Sequence, residues 1–313
     1  MAFNSFISRG DAQALIPEDV TAEILQNAPT NSAVMQLARR LPNMPTNQTR
    51  MSILAALATA YFVNGDTGKK KTTSMRWENK FIDAEELAVI IPIPINVLDD
   101  TSYDIWGECR PRIEEAFGVA FDEAVFYSTN APADWPTGIV DGATTAGHAV
   151  TRGALGDLYD DLLGENGVAS LVEEDGFLIT GHVGALGMRS ALRSLRSADG
   201  FPLFNRTVQE GTQYELDGNN IVFPRNGAID AAQSLLITGD WDQLVWSIRK
   251  DITYEMFREG VIQDENGNIT LNLMQQDMVA LRATFRLGWQ LPNPINRINP
   301  TEATRYPFAV LTP

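Results

Sequence analysis

The chain has 313 residues, of which 44% are hydrophobic, enough to build a sizeable core in one large domain or two modest ones. Its formal net charge of −16 argues against a protein that grips nucleic acid by neutralising phosphates. With one cysteine, two histidines and no apolar run of the roughly 20 residues that a membrane helix needs, the sequence predicts no metal, no cofactor and no membrane contact.

Residues 1–50 predict a thin N-terminal arm. One short helix is expected over residues 17–27, and a second is expected to start from a cap at Asn31 or Ser32. The apolar residues of the two helices are Val20, Ile24, Val34, Leu37 and Leu41. These narrow stripes are too small for an independent core, so the arm needs another surface to lie on.

Residues 51–86 predict a long two-stranded ribbon. Its ascending part covers 51–63, its descending part covers 72–87, and residues 64–71 between them are rich in types that tolerate positive φ. At ~3.3 Å per residue, such a ribbon reaches roughly 40–50 Å. Because an isolated two-stranded ribbon is only marginally stable in water, another surface must support it.

A strand and a long helix are expected next. Apolar residues alternate along 87–97, and Pro92 and Pro94 fall on the opposite phase, which predicts an edge strand paired on one side only. Residues 101–128 follow with three-to-four spacing, typical of a helix about 40 Å long that begins after the capping residues 99–102. Pro111 should kink this helix or mark its true start.

The second half of the chain mixes short elements with two long strands. The expected short elements are helices over 155–163 and 184–195 and strands over 177–180, 214–216 and 221–223. Residues 244–256 and 279–291 alternate between apolar and polar, as half-buried antiparallel strands do, and a turn at 264–267 lies between them. Together the elements predict an α+β fold.

The most enzyme-like feature is the run from Gly181 to Gly187, which is expected to follow a strand and open a helix. A dinucleotide site is one interpretation, but the run lacks the G-x-G pair, and no acid ends a second strand about 20 residues further on. The favoured interpretation is a small-residue helix packed closely on a sheet, with His182 at its entry. We therefore expect no catalytic site.

The ribbon carries basic residues on an acidic chain. Residues 51–83 contain five bases and three acids. A solubilising cluster is one explanation, and docking on an acidic surface of another copy is the favoured one, because the ribbon is not stable alone. The bases at the ribbon tip are Lys69, Lys70, Lys71 and Arg76, and the acids proposed to receive them, on the long helix, are Glu114, Glu115, Asp122 and Glu123.

The order of these elements resembles the Hong Kong 97-type major capsid protein of tailed double-stranded-DNA bacteriophages. Local phrases that resemble the family lie at residues 95–100, 134–139, 195–203, 238–241 and 278–288. No single phrase is specific, whereas their order and spacing together are. The resemblance covers nearly the whole chain and is weakest in residues 1–45.

The resemblance implies a domain layout. Residues 1–50 would be the N-terminal arm and 51–86 the extended loop, a β-hairpin lying over a neighbouring subunit. The peripheral domain would comprise 87–148 and 235–290, and the axial domain 149–234 and 291–313.

The resemblance also implies a structural role without catalysis. Hexamers and pentamers of the chain would form an icosahedral shell around the phage DNA, enclosed without sequence-specific binding. The implied partners are the chain itself, a portal protein, a separate scaffolding protein (because the arm is short) and decoration proteins. The implied locations are the virion capsid and, during assembly, the host cytoplasm.

Two rival functions stay open at the level of sequence. An encapsulin-type nanocompartment shell would share the fold, and particles that contain an enzyme and no DNA would select it. A nucleotide-binding enzyme built on Gly181 to Gly187 belongs to a different class, and saturable binding of NAD to a small oligomer would select it.

Overall fold

The computed structural model describes residues 32–63, 68–100, 104–196, 214–264 and 266–313. The helices are α1 Ala33–Leu37, α2 Ile95–Asp100, α3 Ile105–Tyr127, α4 Ile139–Ala146, α5 Leu158–Leu163, α6 Val168–Glu174 and α7 Met188–Ser194. The strands are β1 Arg39–Arg40, β2 Gln48–Ala56, β3 Arg76–Asp83, β4 Glu85–Pro94, β5 Ala149–Thr151, β6 Gly181–Gly184, β7 Glu215–Leu216, β8 Asn219–Val222, β9 Leu236–Gly239, β10 Val245–Phe257, β11 Val261–Gln263, β12 Ile269–Asn272, β13 Met278–Gln290 and β14 Phe308–Thr312. The predicted α+β class is confirmed.

The first sheet has the strand order β1-β10-β13-β4. The long strands β10 and β13 pair antiparallel from Val245↔Gln290 to Phe257↔Ala280, as their alternating sequence predicts. Among the strands of the described residues, β4 hydrogen-bonds only to β13, so the predicted edge position is confirmed. Pro92 and Pro94 are tolerated there because an edge strand has one side without ladder partners.

The bounds around the long helix differ from the prediction. Strand β4 ends at Pro94, and Ile95, predicted to continue it, starts the short helix α2. Helix α3 begins at Ile105, later than predicted, and the carboxylate of Asp104 caps it by accepting a hydrogen bond from the Gly107 N–H. Of the predicted capping residues 99–102, the first two lie in α2, and 101 and 102 lie outside the described residues. Pro111 lies inside the helix and does not mark its start. The 23 residues of α3 span about 35 Å.

The second sheet has six strands in the order β5-β14-β9-β6-β8-β7. Its inner strands β6 and β9 are buried along their whole length. Residues 177–180, predicted as a strand, lie before β6, and the helix predicted over 184–195 is limited to α7. Strand β9 belongs to this sheet, so the predicted boundary at residue 235 falls just before one of its strands.

Trp241 packs at the place where the two sheets meet. The indole N–H of Trp241 donates to the carbonyl oxygen of Gly181 at 3.0 Å, and its ring meets Phe308 edge-on with ring centroids 5.1 Å apart. Phe126 of α3 contacts the same indole edge-on. One core therefore continues from α3 through Trp241 into the second sheet, with the polar atom of the indole satisfied.

A glycine of β13 lets the backbone at the base of the ribbon approach the first sheet closely. A Cβ atom at Gly288 would lie 2.3 Å from the carbonyl oxygen of Asp83. This distance is far below van der Waals contact, and the atom that blocks it belongs to the backbone. The last residue of β3 can therefore approach β13 only where the side chain is absent.

We expect Gly288→Ala to destabilise the subunit by about 1–3 kcal/mol, because the added methyl group must push the Asp83 backbone away. Thermal unfolding of the purified protein would show a lowered midpoint. Gly187→Ala is the matched control, since a Cβ atom there meets nothing within 4 Å. Equal midpoints for the two variants would contradict the proposed close approach.

Candidate functional site

The base of the ribbon rests on its own chain. Strands β2 and β3 pair antiparallel from Gln48↔Asp83 onward, with an irregularity between Leu54 and Ala56. The Gln290 side chain donates to the carbonyl oxygen of Phe81 at 2.7 Å, and Lys80 forms an ion pair with Glu302 at 3.2 Å. The surface that the ribbon was predicted to need is therefore supplied, for this part, by the same subunit.

Beyond Ala56, the residues of the ribbon that the structure describes have no regular strand pairing. The paired part is nine residues long, about 30 Å, which is shorter than the predicted reach. Further out, the Thr59 N–H donates to the Thr73 hydroxyl at 3.1 Å, and the Tyr61 hydroxyl donates to the carbonyl oxygen of Lys71 at 2.9 Å. A few side-chain bonds thus hold the two arms together near the tip.

Aromatic side chains are exposed along this ribbon. Phe62 is fully exposed, Trp77 is 63% exposed and Phe81 is 40% exposed. Trp77 and Phe81 lie four residues apart on one strand, so they share a face, whereas Ile82 on the opposite face is buried. The sequence analysis missed this aromatic face, although the odd-numbered aromatic positions of residues 76–83 could have revealed it.

The basic residues of the tip have different surroundings. Lys69, Lys70 and Lys71 are exposed, and the ammonium group of Lys71 lies 5.9 Å from the Tyr61 ring centroid. Arg76 forms an exposed ion pair with Glu78 at 2.8 Å, so its charge is locally matched. The three lysines are therefore the tip charges best placed to act on another surface.

The four predicted acceptors on α3 do not form one site. Glu114 is exposed and accepts a hydrogen bond from the Tyr254 hydroxyl at 3.2 Å, and Glu115 is half-buried and pairs with Arg112 at 2.8 Å. Glu123 is half-buried and lines a hollow of about 120 Å³ together with Glu85 and Glu86. Across the part of the chain that the structure describes, no ion pair joins these acids to Lys69, Lys70 or Lys71.

Asp122 is unavailable as an acceptor for a neighbouring chain, which corrects the prediction. Its side chain is fully buried and binds the start of α1 in its own subunit. The Ser32 hydroxyl donates to Oδ1 at 2.5 Å, and the N–H groups of Ala33 and Val34 donate to Oδ2 and Oδ1 at 2.9 and 3.1 Å. Burial raises the pKa of this carboxyl to about 6, although these hydrogen bonds oppose the shift.

The described part of the arm therefore lies on its own subunit. Of the two predicted caps of α1, Ser32 is the one observed, and its hydroxyl oxygen accepts from the Met35 N–H at 3.0 Å. Strand β1 pairs parallel with β10, and Met44 is buried beside the base of the ribbon. For residues 32–47, the surface that the arm was predicted to need is therefore supplied by its own subunit, whereas the helix predicted over 17–27 lies outside the described residues.

The structure removes the basis for a nucleotide site at Gly181 to Gly187. Gly181–Gly184 is the buried strand β6, and His182 lies within it instead of entering a helix. The His182 ring contacts the Thr238 hydroxyl at 2.9 Å and the Leu216 carbonyl oxygen at 3.1 Å, and burial lowers its pKa to about 4. A Cβ atom at Gly184 would lie 3.0 Å from the Phe223 ring, so this glycine serves close packing.

Metal-binding clusters and membrane-spanning helices are also absent from the described residues. Among them, no cluster of three or more histidine, cysteine or acidic side chains is arranged to hold a metal ion. None of the helices in these ranges combines the length and apolar character needed to cross a membrane. The exposed ribbon is thus the most prominent candidate for function.

Comparison with known proteins identifies the family. The phage capsid family matches residues 12–298. The chain belongs to this family. The major capsid protein of Staphylococcus phage 80alpha is 29% identical over 274 residues, which cover 86% of this capsid protein and 79% of that one.

Solved structures agree with this assignment. A chain of Microbacterium phage Oxtober96 is 34% identical and superposes with a TM-score of 0.85, covering 99% of this capsid protein and all of that chain. A chain of Mycobacterium phage Adephagia is 29% identical with a TM-score of 0.82, over 99% and 98% of the two chains. The protein is a phage major capsid protein of the Hong Kong 97-type fold, a component of the virion shell that assembles with copies of itself.

The buried carboxyl of Asp122 makes stability depend on pH. Its folded-state pKa of about 6 lies above the ordinary value of 3.8, so its contribution to stability is full below pH 3.8 and is lost as the pH rises through 6. The Asp122→Asn variant lacks this titration. The free energy of unfolding of the wild type minus that of the variant should therefore fall by about 3 kcal/mol between about pH 3.5 and pH 7.

Urea unfolding of unassembled subunits at both pH values measures this difference. Asp264→Asn is the control of opposite sign, because hydrogen bonds from Asn268 lower the pKa of Asp264. Its stabilising contribution is present at neutral pH and is lost as the pH falls. If the free energy of unfolding of the wild type minus that of Asp122→Asn stays constant or rises with pH, the raised pKa of Asp122 is contradicted.

Proposed function

We propose that this capsid protein forms hexamers and pentamers that close into an icosahedral shell around the double-stranded DNA of a phage. The observation that carries the proposal is the exposed aromatic face and tip of the ribbon, with Trp77, Phe81 and Phe62. Apolar patches left open on a slender projection mark surfaces that another molecule covers. In a shell of identical subunits, that molecule is another copy.

We assign residues 1–50 to an N-terminal arm and 51–86 to an extended loop. The peripheral domain comprises 87–148 and 235–290, and the axial domain comprises 149–234 and 291–313. The separation of β10 and β13 from the six-stranded sheet supports this division. Because β9 belongs to the six-stranded sheet, the boundary is better drawn near residue 240 than at residue 235.

We further propose that the extended loop lies over a neighbouring subunit and that Lys69, Lys70 and Lys71 face acids there. Glu114 is exposed, and Glu115 and Glu123 are partly so, which leaves three of the four predicted acceptors for this role. Each exposed ion pair contributes at most about 1 kcal/mol and weakens with salt. Closed symmetry makes such contacts effective, because every copy repeats them.

The acidic character of the chain supports passive enclosure of DNA. At a net charge of −16, the shell repels the polymer instead of binding it by sequence. The proposed partners besides the chain itself are a portal protein, a separate scaffolding protein and decoration proteins. We infer that assembly takes place in the host cytoplasm and that the chain has no catalytic activity of its own.

Negative-stain microscopy of the purified protein, and of particles from infected cells, tests the shell. We expect closed icosahedral particles with five-fold and six-fold clusters, and DNA inside those from infected cells. A compact monomer that resists protease over the ribbon would overturn the proposal. Particles that hold an enzyme and no DNA would instead assign the chain to an encapsulin-type compartment.

Reversing the charge of Lys69, Lys70 and Lys71 to glutamate should weaken the shell without unfolding the subunit. The three side chains are exposed and pack on no core, so the thermal midpoint of the free subunit should not change. Assembled particles should dissociate at a lower denaturant concentration, and the difference from the wild type should shrink at high salt.

A charge-matched control separates the contact from the overall charge. Glutamate at the exposed Arg152, Lys250 and Arg258 changes the net charge equally but lies outside the ribbon. We expect this variant to form particles of nearly wild-type stability. If both triple variants weaken particles equally, overall charge explains the effect and the docking proposal is wrong.

A further inference from the structure

A groove of about 670 Å³ opens between helix α3, helix α1 and the end of β8. Strands β10 and β13 of the first sheet contribute Ile252 and Phe285 to its lining. The residues that line it are Ser32, Ala33, Met35, Gln36, Glu114, Phe117, Gly118, Val222, Phe223, Pro224, Arg225, Ile252 and Phe285. The groove therefore touches both sheets and the described beginning of the arm.

The walls of the groove are mainly apolar. Met35, Val222, Phe223 and Ile252 are only half-buried, so each leaves apolar surface facing this space or solvent. Among the described residues of the lining, the charged ones are Glu114, which accepts from Tyr254, and the exposed Arg225. A groove of this character fits the apolar face of an amphipathic helix.

The chain enters the described region at the wall of this groove. Thirty-one residues precede Ser32, and Ser32 and Ala33 are part of the lining. Gly118 allows this approach, because a Cβ atom there would lie 3.3 Å from the Ser32 backbone nitrogen. The carboxylate of Asp122 then fixes the entry point through its three hydrogen bonds.

We propose that the groove binds residues 17–27 of the same copy through Val20 and Ile24. These two side chains are one helical turn apart on the helix predicted from the sequence, so they project from one face. That helix would carry Glu18, Asp19 and Glu23, which favours a position beside Arg225 over one beside Glu114.

The short connection favours the same copy over a free partner. Residues 28–31 between the helix and Ser32 span at most about 14 Å, so the helix must lie close to Ser32, which is part of the lining. A tether this short gives the segment an effective concentration on the order of millimolar at the groove. This inference concerns a single subunit, so its outcome is independent of the proposed shell.

Disulfide trapping tests the proposal in the full-length protein, in a Cys109→Ser background that removes the only native cysteine. The probe pair is Ile24→Cys with Val222→Cys, on the half-buried wall of the groove. The matched control is Gln26→Cys with Val222→Cys, because position 26 lies on the opposite side of the same helix. After mild oxidation, non-reducing gels and peptide mass spectrometry identify the bonds.

We expect a disulfide within one chain for Ile24→Cys, formed at least tenfold faster than for Gln26→Cys, in free subunits and in particles. Equal rates for the two positions, or no bond, would overturn the proposal. A bond between two chains would overturn it in favour of a neighbouring copy. If Val222→Cys fails to fold, Met35→Cys, which also lines the groove, replaces it and has the same outcomes.

Discussion

The packing of α3 across the first sheet is the constraint on which the other features depend. Its buried face, with Phe121 at the centre, joins the core to both sheets. The same helix holds the arm through Asp122, admits its backbone at Gly118, and exposes Glu114 beside Tyr254. A single rigid rod of about 35 Å thus sets the position of the arm, of the groove and of the acids proposed to receive a neighbouring ribbon.

Elements with a clear alternation of apolar and polar residues were predictable from the sequence, whereas elements without such a pattern were not. The long strands β10 and β13 expose one face, so their alternation was visible in the sequence, and the prolines of β4 revealed an edge. Strand β6 is buried on both faces and rich in glycine, so it has no alternation and was mistaken for a turn before a helix. Short apolar runs do not distinguish a buried strand from a helix.

Of the candidate site, only the charged residues could be predicted from the sequence. The lysines of the tip stand out in an acidic chain, whereas the exposed face with Trp77 depends on a register that the sequence leaves open. Asp122 was assigned to a neighbour's lysines because an acid on a helix is usually solvated. Its true partner is Ser32, 90 residues earlier, and no local pattern encodes such a contact. Residues 32–47 are therefore supported within their own subunit, and the ribbon is the described segment whose exposed face a neighbouring subunit would cover.

The two prolines of the edge strand β4 have a further consequence for a protein whose copies pack side by side at high local concentration. An open strand edge next to many identical copies is a template for uncontrolled stacking into fibrils, and Ile90 on this edge is already half exposed. Without amide hydrogens at Pro92 and Pro94, a second strand cannot continue the ladder there. Copies of the subunit can then contact each other through side chains at defined interfaces, and assembly ends in a closed shell instead of an open fibril.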